Sequence, residues 1–301
     1  MTLFLLTALT MVAFAANSVL ARLALAEGAM DATSFSAIRL AAGAIVLTVV
    51  ATNYALTNVT GDPFEHRTRR VLKQGGNWFS AVALLAYIVG FSFAYLALGT
   101  GTGALILFAT VQGVMIGWGL VRGNRPGPRE WLGLTVAFGA FVALLLPGLT
   151  APDPLGAALM VLAGIGWGIY SLRGARADNP LMDTAGNFVR GTIMVFVFAL
   201  VMLWTTGPTF TVPFIVTGPG LFYALLSGAL TSGLGYALWY RCLRQLTASR
   251  AAIVQLSVPA IATLGGVVFL SEPLTVRLAV CSALILGGVA LAIVSRPAKA
   301  E

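Results

Sequence analysis

Charge is scarce in this chain. Only 9% of its 301 residues are charged, 58% are hydrophobic, and the mean hydropathy is +0.92. A soluble domain carries about 25% charged residues, so this composition excludes a soluble globular enzyme, and a disordered or collagen-like chain with it. Histidine occurs once, as His66, and cysteine twice, as Cys242 and Cys281. Cys281 falls in an apolar run, so neither a disulfide framework nor a metal site is expected. No phosphate loop, catalytic dyad or metal cluster can be found, so the chain is read as a non-enzyme without cofactors. Carboxylates are missing from the middle of every apolar run. The ten acidic residues, Glu27, Asp31, Asp62, Glu65, Glu130, Asp153, Asp178, Asp183, Glu272 and Glu301, all lie in loops or at the ends of runs.

What is present is a series of apolar runs, near 3–22, 33–51, 78–98, 103–121, 131–147, 155–172, 184–205, 219–240, 251–270 and 275–294. A helical span needs about 20 apolar residues. The runs are continuous rather than alternating, which disfavours a membrane barrel. The expected fold is an all-α polytopic membrane protein with ten transmembrane helices. The first run, LFLLTALTMV followed by AFAANS, lacks a basic leader and is read as a retained span. The polar stretch between the second and third runs, which holds His66, is read as a loop.

The net charge of +8 is concentrated in alternate loops. With the N-terminus inside, the inner loops and tail hold Arg67, Arg69, Arg70, Lys73, Arg122, Arg125, Arg129, Arg173, Arg176, Arg241, Arg244, Arg250, Arg296 and Lys299. Arg22, Arg39, Arg190 and Arg277 are within spans or at their ends. This is the positive-inside pattern. It places both termini in the cytoplasm, and it accounts for the basicity without nucleic acid.

The two halves echo each other. An offset of 151 carries Arg22 onto Arg173 and Arg39 onto Arg190. An offset of 145 carries Tyr95 onto Tyr240, and 147 carries Ile106 onto Ile253, Gln112 onto Pro259 and Pro126 onto Pro273. Residues 3–147 and 155–296 therefore read as two five-helix repeats. Five being odd, the second is inverted in the membrane, the architecture of many secondary transporters.

The segment YRCLRQLTASRAAIVQLSVPAIATLGGVVFLSEPLT (240–275), with GIGWGIYSLR (164–173) and the paired Arg39 and Arg190, resembles the drug/metabolite transporter superfamily, EamA type. The resemblance covers nearly the whole chain. The first repeat departs from the second, with Gln112 in place of Pro259 and Arg125 in place of Glu272. It implies ten helices and a central cavity formed by helices 3, 4, 8 and 9, flanked by 1 and 6. It also implies export of small metabolites, often amino acids, from a bacterial inner membrane. Aromatic amino acid exporters are the branch to compare.

Proton-driven carriers usually hold a carboxylate or histidine inside the membrane. Small-multidrug-type antiport needs a glutamate in the first helix, which here reads MVAFAANSVL. Export without an intramembrane carboxylate therefore fits better than cationic drug/proton antiport. A carrier of anionic metabolites or nucleotide-linked sugars is the rival within transport. It would need Arg or Lys at the cavity, and the mid-span positions read as neutral. A membrane-embedded enzyme would need an intramembrane acid, histidine or Ser–Lys pair.

The binding residues expected are aromatic and amide. Tyr87, Phe91 and Tyr95 recur at i, i+4, i+8 on one helix face and map onto Ser232, Tyr236 and Tyr240, with Trp239 beside them. Of these, Tyr87, Phe91, Tyr236 and Trp239 are assigned to the cavity, and Tyr95 and Tyr240 read as interfacial anchors. Trp167 and Tyr170 are further wall candidates. Asn17, Gln112 and Gln255 are mid-span amides that need partners in hydrocarbon. Offset 147 carries Phe108 and Gln112 onto Gln255 and Pro259, which sets these faces opposite each other. An amide both donates and accepts, so it suits the ends of a zwitterion. Arg39 and Arg190 lie within two turns of a helix end and read as anchors that snorkel. Pro259 removes a mid-span hydrogen bond and is the expected hinge. The partners expected are an amino acid-like small molecule and the lipid bilayer. The oligomeric state, a monomer included, stays open.

Overall fold

The computed structural model describes residues 3–26, 28–56, 64–123, 127–146, 151–175, 177–206, 215–243, 245–246 and 254–294. Arg125, Pro126, Arg176, Arg244, Arg250, Ile253, Arg296 and Lys299, used above for loop charge and repeat matching, lie outside the described residues, as does the side chain of Arg67. In chain order the helices are α1 (Leu3–Leu25), α2 (Ala32–Leu56), α3 (Phe64–Gln74), α4 (Trp78–Ala94), α5 (Thr100–Val121), α6 (Pro128–Leu145), α7 (Pro154–Gly174) and α8 (Pro180–Thr206). They continue as α9 (Gly218–Leu225), a π-helical stretch (Leu226–Leu234), α10 (Gly235–Leu243), α11 (Ser257–Leu270) and α12 (Val276–Val294). The α9, π and α10 stretches run on as one apolar segment.

Seven described helices are long and apolar enough to cross a membrane: Leu3–Leu25, Ala32–Asn53, Thr100–Val121, Pro128–Leu145, Pro154–Gly174, Pro180–Val201 and Gly218–Cys242. The bent pair α3–α4, at 82°, adds an eighth candidate, and α11 and α12 are shorter apolar helices. The protein is thus a polytopic α-helical membrane protein. Trp78, Trp131 and Trp204 stand exposed at or near helix ends, where indole rings meet the headgroup layer.

Helix α3 is the element the hydropathy reading left as loop. Its sequence, FEHRTRRVLKQ, is too polar to span. One apolar position, Val71, is buried, and α3 packs on α2 and α8. The turn into α4 passes through Gly76 at φ +69, a left-handed conformation that only glycine adopts freely. Gly76 N–H donates to Asp183 Oδ1 at 3.0 Å and Asn77 N–H to Asn187 Oδ1 at 2.8 Å, tying the bend to the start of α8. Asn77 then caps α4 by accepting from Ser80 N–H at 2.9 Å.

Helices in lipid gain little from the hydrophobic effect, so close approach of small residues drives their association. Gly164 and Gly168 serve this on α7. A Cβ at Gly164 would meet Thr110 at 2.6 Å, and one at Gly168 would meet Val114 at 2.8 Å, both on α5. The other GxxxG pair, Gly113 and Gly117, faces open space. Packing pairs α4 with α7, α6 with α12, α2 with α8, α5 with α7 and α11, and α1 with α10 and α11. The π stretch lies against α1 and α2, and α4 also meets α8.

Candidate functional site

The centre of the bundle is an aromatic cluster. Phe14 of α1 meets Trp167, Tyr236 and Trp239 edge-on, at centroid distances of 6.1, 5.8 and 5.7 Å. Trp167 of α7 also lies 5.0 Å from Tyr87 and 4.9 Å from Tyr236. These rings enclose a space of about 10 Å³, lined by Phe14, Asn17, Ser18, Tyr87, Phe91, Leu107, Phe108, Trp167 and Tyr236. That is room for about one water. Six of the residues expected at the cavity, Asn17, Tyr87, Phe91, Phe108, Trp167 and Tyr236, converge on it. Trp239 backs the wall through Phe14. Gln112 and Gln255 are buried but line neither this space nor the wider one described next.

The wider cavity, about 730 Å³, opens at one end of the bundle. Its walls come from the start of α4 (Asn77, Ser80), the end of α5 (Trp118, Arg122), the end of α7 (Tyr170, Arg173), the start of α8 (Asp183, Asn187) and Tyr240 of α10. Trp167 and Tyr170, with ring centroids 5.7 Å apart, separate the two spaces, since Trp167 lines the small one and Tyr170 the large one. Tyr240, read as an outer anchor, lines this vestibule.

The opposite ends of α4 and α5 are shut. Arg22, at the end of α1, donates through Nε to Glu272 Oε1 at 3.1 Å and through Nη1 to the Tyr95 carbonyl at 2.9 Å. Glu272 in turn accepts from Thr100 N–H at 2.7 Å and from its hydroxyl at 3.1 Å. A carboxylate at the first turn of α5 also meets the positive end of the helix dipole. The same end carries a two-residue bridge between the loops before α2 and α9, where Asp31 N–H donates to Ile215 O and Thr217 N–H to Ala29 O, each at 3.0 Å. At the open end Arg173 donates to two neutral groups, Ser80 Oγ at 2.8 Å and Asn77 Oδ1 at 3.3 Å.

Polar side chains gather on the side of the aromatic cluster that faces α2 and the π stretch. Asn17 Oδ1 lies 2.8 Å from Ser227 Oγ, 2.6 Å from Thr231 Oγ1 and 3.4 Å from Ser232 Oγ. The π stretch makes this possible. Gly235 N–H bonds Leu230 O, five residues back, so hydroxyls at i, i+4 and i+5 all point at one atom. Such stretches occur often at functional sites. Behind Asn17 sits Arg39 of α2, with no solvent exposure. Its Nε donates to Ser232 Oγ at 3.1 Å and its Nη2 to Tyr87 Oη at 2.9 Å. Its guanidinium carbon lies 4.8 Å from the Phe91 ring centre and 5.3 Å from that of Tyr87.

Arg39 corrects the sequence reading. It does not snorkel, and the region beside the cavity is not neutral. Arg190 keeps the anchoring role, donating to the Gly75 and Gly186 carbonyls near the start of its helix. Phe14, Ser18 and Leu107 were also missed, since nothing in composition separates them from the residues around them. Pro259 lies in the first turn of α11, beyond a break at Leu256 that separates helical Gln255 from Ser257. Among the described residues no group of histidine, cysteine or acidic side chains is arranged to hold a metal.

Comparison with known proteins agrees with this architecture. Residues 154–294, from α7 to α12, match the EamA-like transporter family. An uncharacterized protein of Pseudomonas aeruginosa is 45% identical over 296 residues, 98% of this chain and 96% of that protein. An uncharacterized transporter of Archaeoglobus fulgidus is 29% identical over 198 residues, 62% of this chain and 65% of its own. A second from the same organism is 27% identical over 168 residues, 55% and 57% of the two chains. A solved crystal structure superposes with a TM-score of 0.60 over 95% of this chain and 98% of that one, at 18% identity, which speaks for the fold alone. The chain belongs to the EamA-like transporter family and is a multi-pass membrane transporter of the drug/metabolite type.

Proposed function

We propose that the protein exports small amphipathic metabolites, neutral and aromatic amino acids first among them, by alternating access. The observation that carries this reading is the sequence of spaces along the bundle. A vestibule of about 730 Å³ leads to an aromatic layer, then to an enclosed space of about 10 Å³, then to the end shut by Arg22 and Glu272. A carrier caught open on one side has this form. Aromatic walls with amide and hydroxyl groups suit a substrate with an apolar body and a polar end.

The remaining expectations fit together in this reading. Ten spans form two inverted repeats, 3–147 and 155–296. Exchange of the halves turns the α4–α7 contact into that of α1 with the π stretch and α10. It also turns α5–α7 into α11–α1, and the contact of α2 with the π stretch into α8–α4. With both termini in the cytoplasm of a bacterium, the vestibule faces inward and the Arg22–Glu272 end faces out. Transport proceeds without an intramembrane carboxylate. Asn17, Tyr87, Phe91, Phe108, Trp167 and Tyr236 meet the substrate, Trp239, Gln112 and Gln255 support it, and Pro259 is the hinge.

The test is flux from liposomes loaded with labelled phenylalanine, threonine, methionine or glutamate, with and without a pH gradient. Rapid efflux of the neutral and aromatic substrates, insensitive to the gradient, is expected. Dependence on the gradient overturns the coupling, and absence of amino acid flux overturns the substrate class.

A further inference from the structure

Among the described residues no carboxylate pairs with Arg39. A guanidinium carries five N–H donors and a permanent charge. Arg39 is fully buried, its two recorded acceptors are neutral hydroxyls, and its Nη1 has no hydrogen-bond partner. Arg22, by contrast, is paired with Glu272. Buried charges are ordinarily paired, because desolvating one alone is costly. The paired arginine in the second half shows what a structural role looks like, since Arg190 reaches backbone carbonyls and is only partly buried.

The guanidinium is also coupled to the enclosed space. Tyr87, which lines that space, accepts from Nη2. Asn17, which lines it too, is reached from Nε through Ser232. Among the described residues two more buried donors have no partner: the Trp167 indole N–H, which lines the space, and the Gln112 amide nitrogen, which lies outside it on α5. A site with surplus donors and a surplus positive charge is short of one thing, an acceptor that bears negative charge.

We propose that Arg39 is the counter-ion of the transported molecule, so that the substrate binds through a carboxylate held by the Arg39 guanidinium and the Tyr87 hydroxyl, with its apolar body among Phe14, Trp167 and Tyr236. Carboxylate matches the planar guanidinium fork. The proposal rests on the transport reading for its route, and adds that the carboxylate, not the amine, is the group recognised. A molecule lacking the amine is therefore accepted, and one lacking the carboxylate is refused.

The experiment uses the purified full chain in detergent and in liposomes. Binding is read from thermal stabilisation with phenylalanine, 3-phenylpropionate, 2-phenylethylamine, and a short panel of acetate, benzoate and glutarate. The wild type is expected to be stabilised by carboxylates and not by 2-phenylethylamine. Arg39→Gln is expected to weaken carboxylate binding by about tenfold or more, and Arg39→Lys to restore part of it. Equal binding of phenylalanine by wild type and a folded Arg39→Gln protein overturns the proposal. If Arg39→Gln does not fold, the wild type alone decides, because preference for 2-phenylethylamine, or no response to any carboxylate, also overturns it. If carboxylates bind but no amino acid is carried, the amino acid reading fails while the Arg39 site stands.

Discussion

Arg22 Nε and Glu272 Oε1 stand 3.1 Å apart, each side chain 18% exposed, at the end of the bundle where α1, α4, α5 and the loop after α11 converge. This contact and its hydrogen bonds to Tyr95 and Thr100 tie the end of α1 to the turn between α4 and α5 and to the loop after α11, the end that the transport reading takes as closed.

Glu272→Gln is expected to loosen that end. A hydrogen bond to a charged group contributes about 1.5–3 kcal/mol, and partial exposure lowers this toward 1 kcal/mol. A loss of about 1–2 kcal/mol shifts an open–closed balance by about 5–30-fold. A cysteine placed at Ser18, which lines the enclosed space, reports the shift. Its labelling from the Arg22 side should accelerate by that order in the Glu272→Gln background, and an unchanged rate refutes the latch.

Gly76→Ala should destabilise the protein at the other end. The residue holds φ +69, and a Cβ there would meet Asp183 O and Asn187 N at 2.7 Å. The left-handed conformation alone costs about 1–2 kcal/mol for a residue with a side chain. A lower melting temperature in detergent is expected, and an equal one contradicts the assignment.

Trp167→Phe should keep the fold and impair aromatic substrates most. The indole touches Phe14, Tyr87, Tyr170 and Tyr236, and an aromatic contact contributes about 0.5–1.5 kcal/mol beyond its area. Loss of one such contact predicts a rise in apparent KM for phenylalanine of about 2–13-fold, with less change for threonine. Equal changes for both would remove Trp167 from the binding wall.

Pro259→Ala removes the ring from the first turn of α11, so that the helix is free to run back through the break at Leu256. The expected result is slower flux with unchanged equilibrium binding, because a mended helix resists bending. Normal flux sinks the hinge.

Most of the architecture is legible because apolar runs of about 20 residues have few alternatives in a membrane. The site is partly legible. Tyr87 and Phe91 repeat at helical spacing and recur as Ser232 and Tyr236, so symmetry singles them out. Phe14 and Leu107 have no such mark among apolar neighbours. Arg39 was misread because its distance from the end of α2 says how far a side chain must reach, not which way it turns. It turns toward Ser232 and Tyr87, across elements 193 and 48 residues away in sequence. The π stretch LSGALTSGL leaves no hydropathy trace at all, since it differs from an α-helix only in which carbonyl each N–H selects. Helix α3 was passed over for the opposite reason, being too polar for a test built on apolar runs.

The stretch from Leu226 to Leu234 has one more consequence. A ring closed over five residues instead of four holds an extra residue, and in an α-helix one residue is about 100° of turn. The segment is therefore a wound spring of angle rather than length. Returning one of its turns to α geometry would swing Tyr236 and Trp239 about the axis while Ser227 kept its bearing on Asn17. The aromatic wall and the hydroxyl cluster share one helix, yet they need not rotate together.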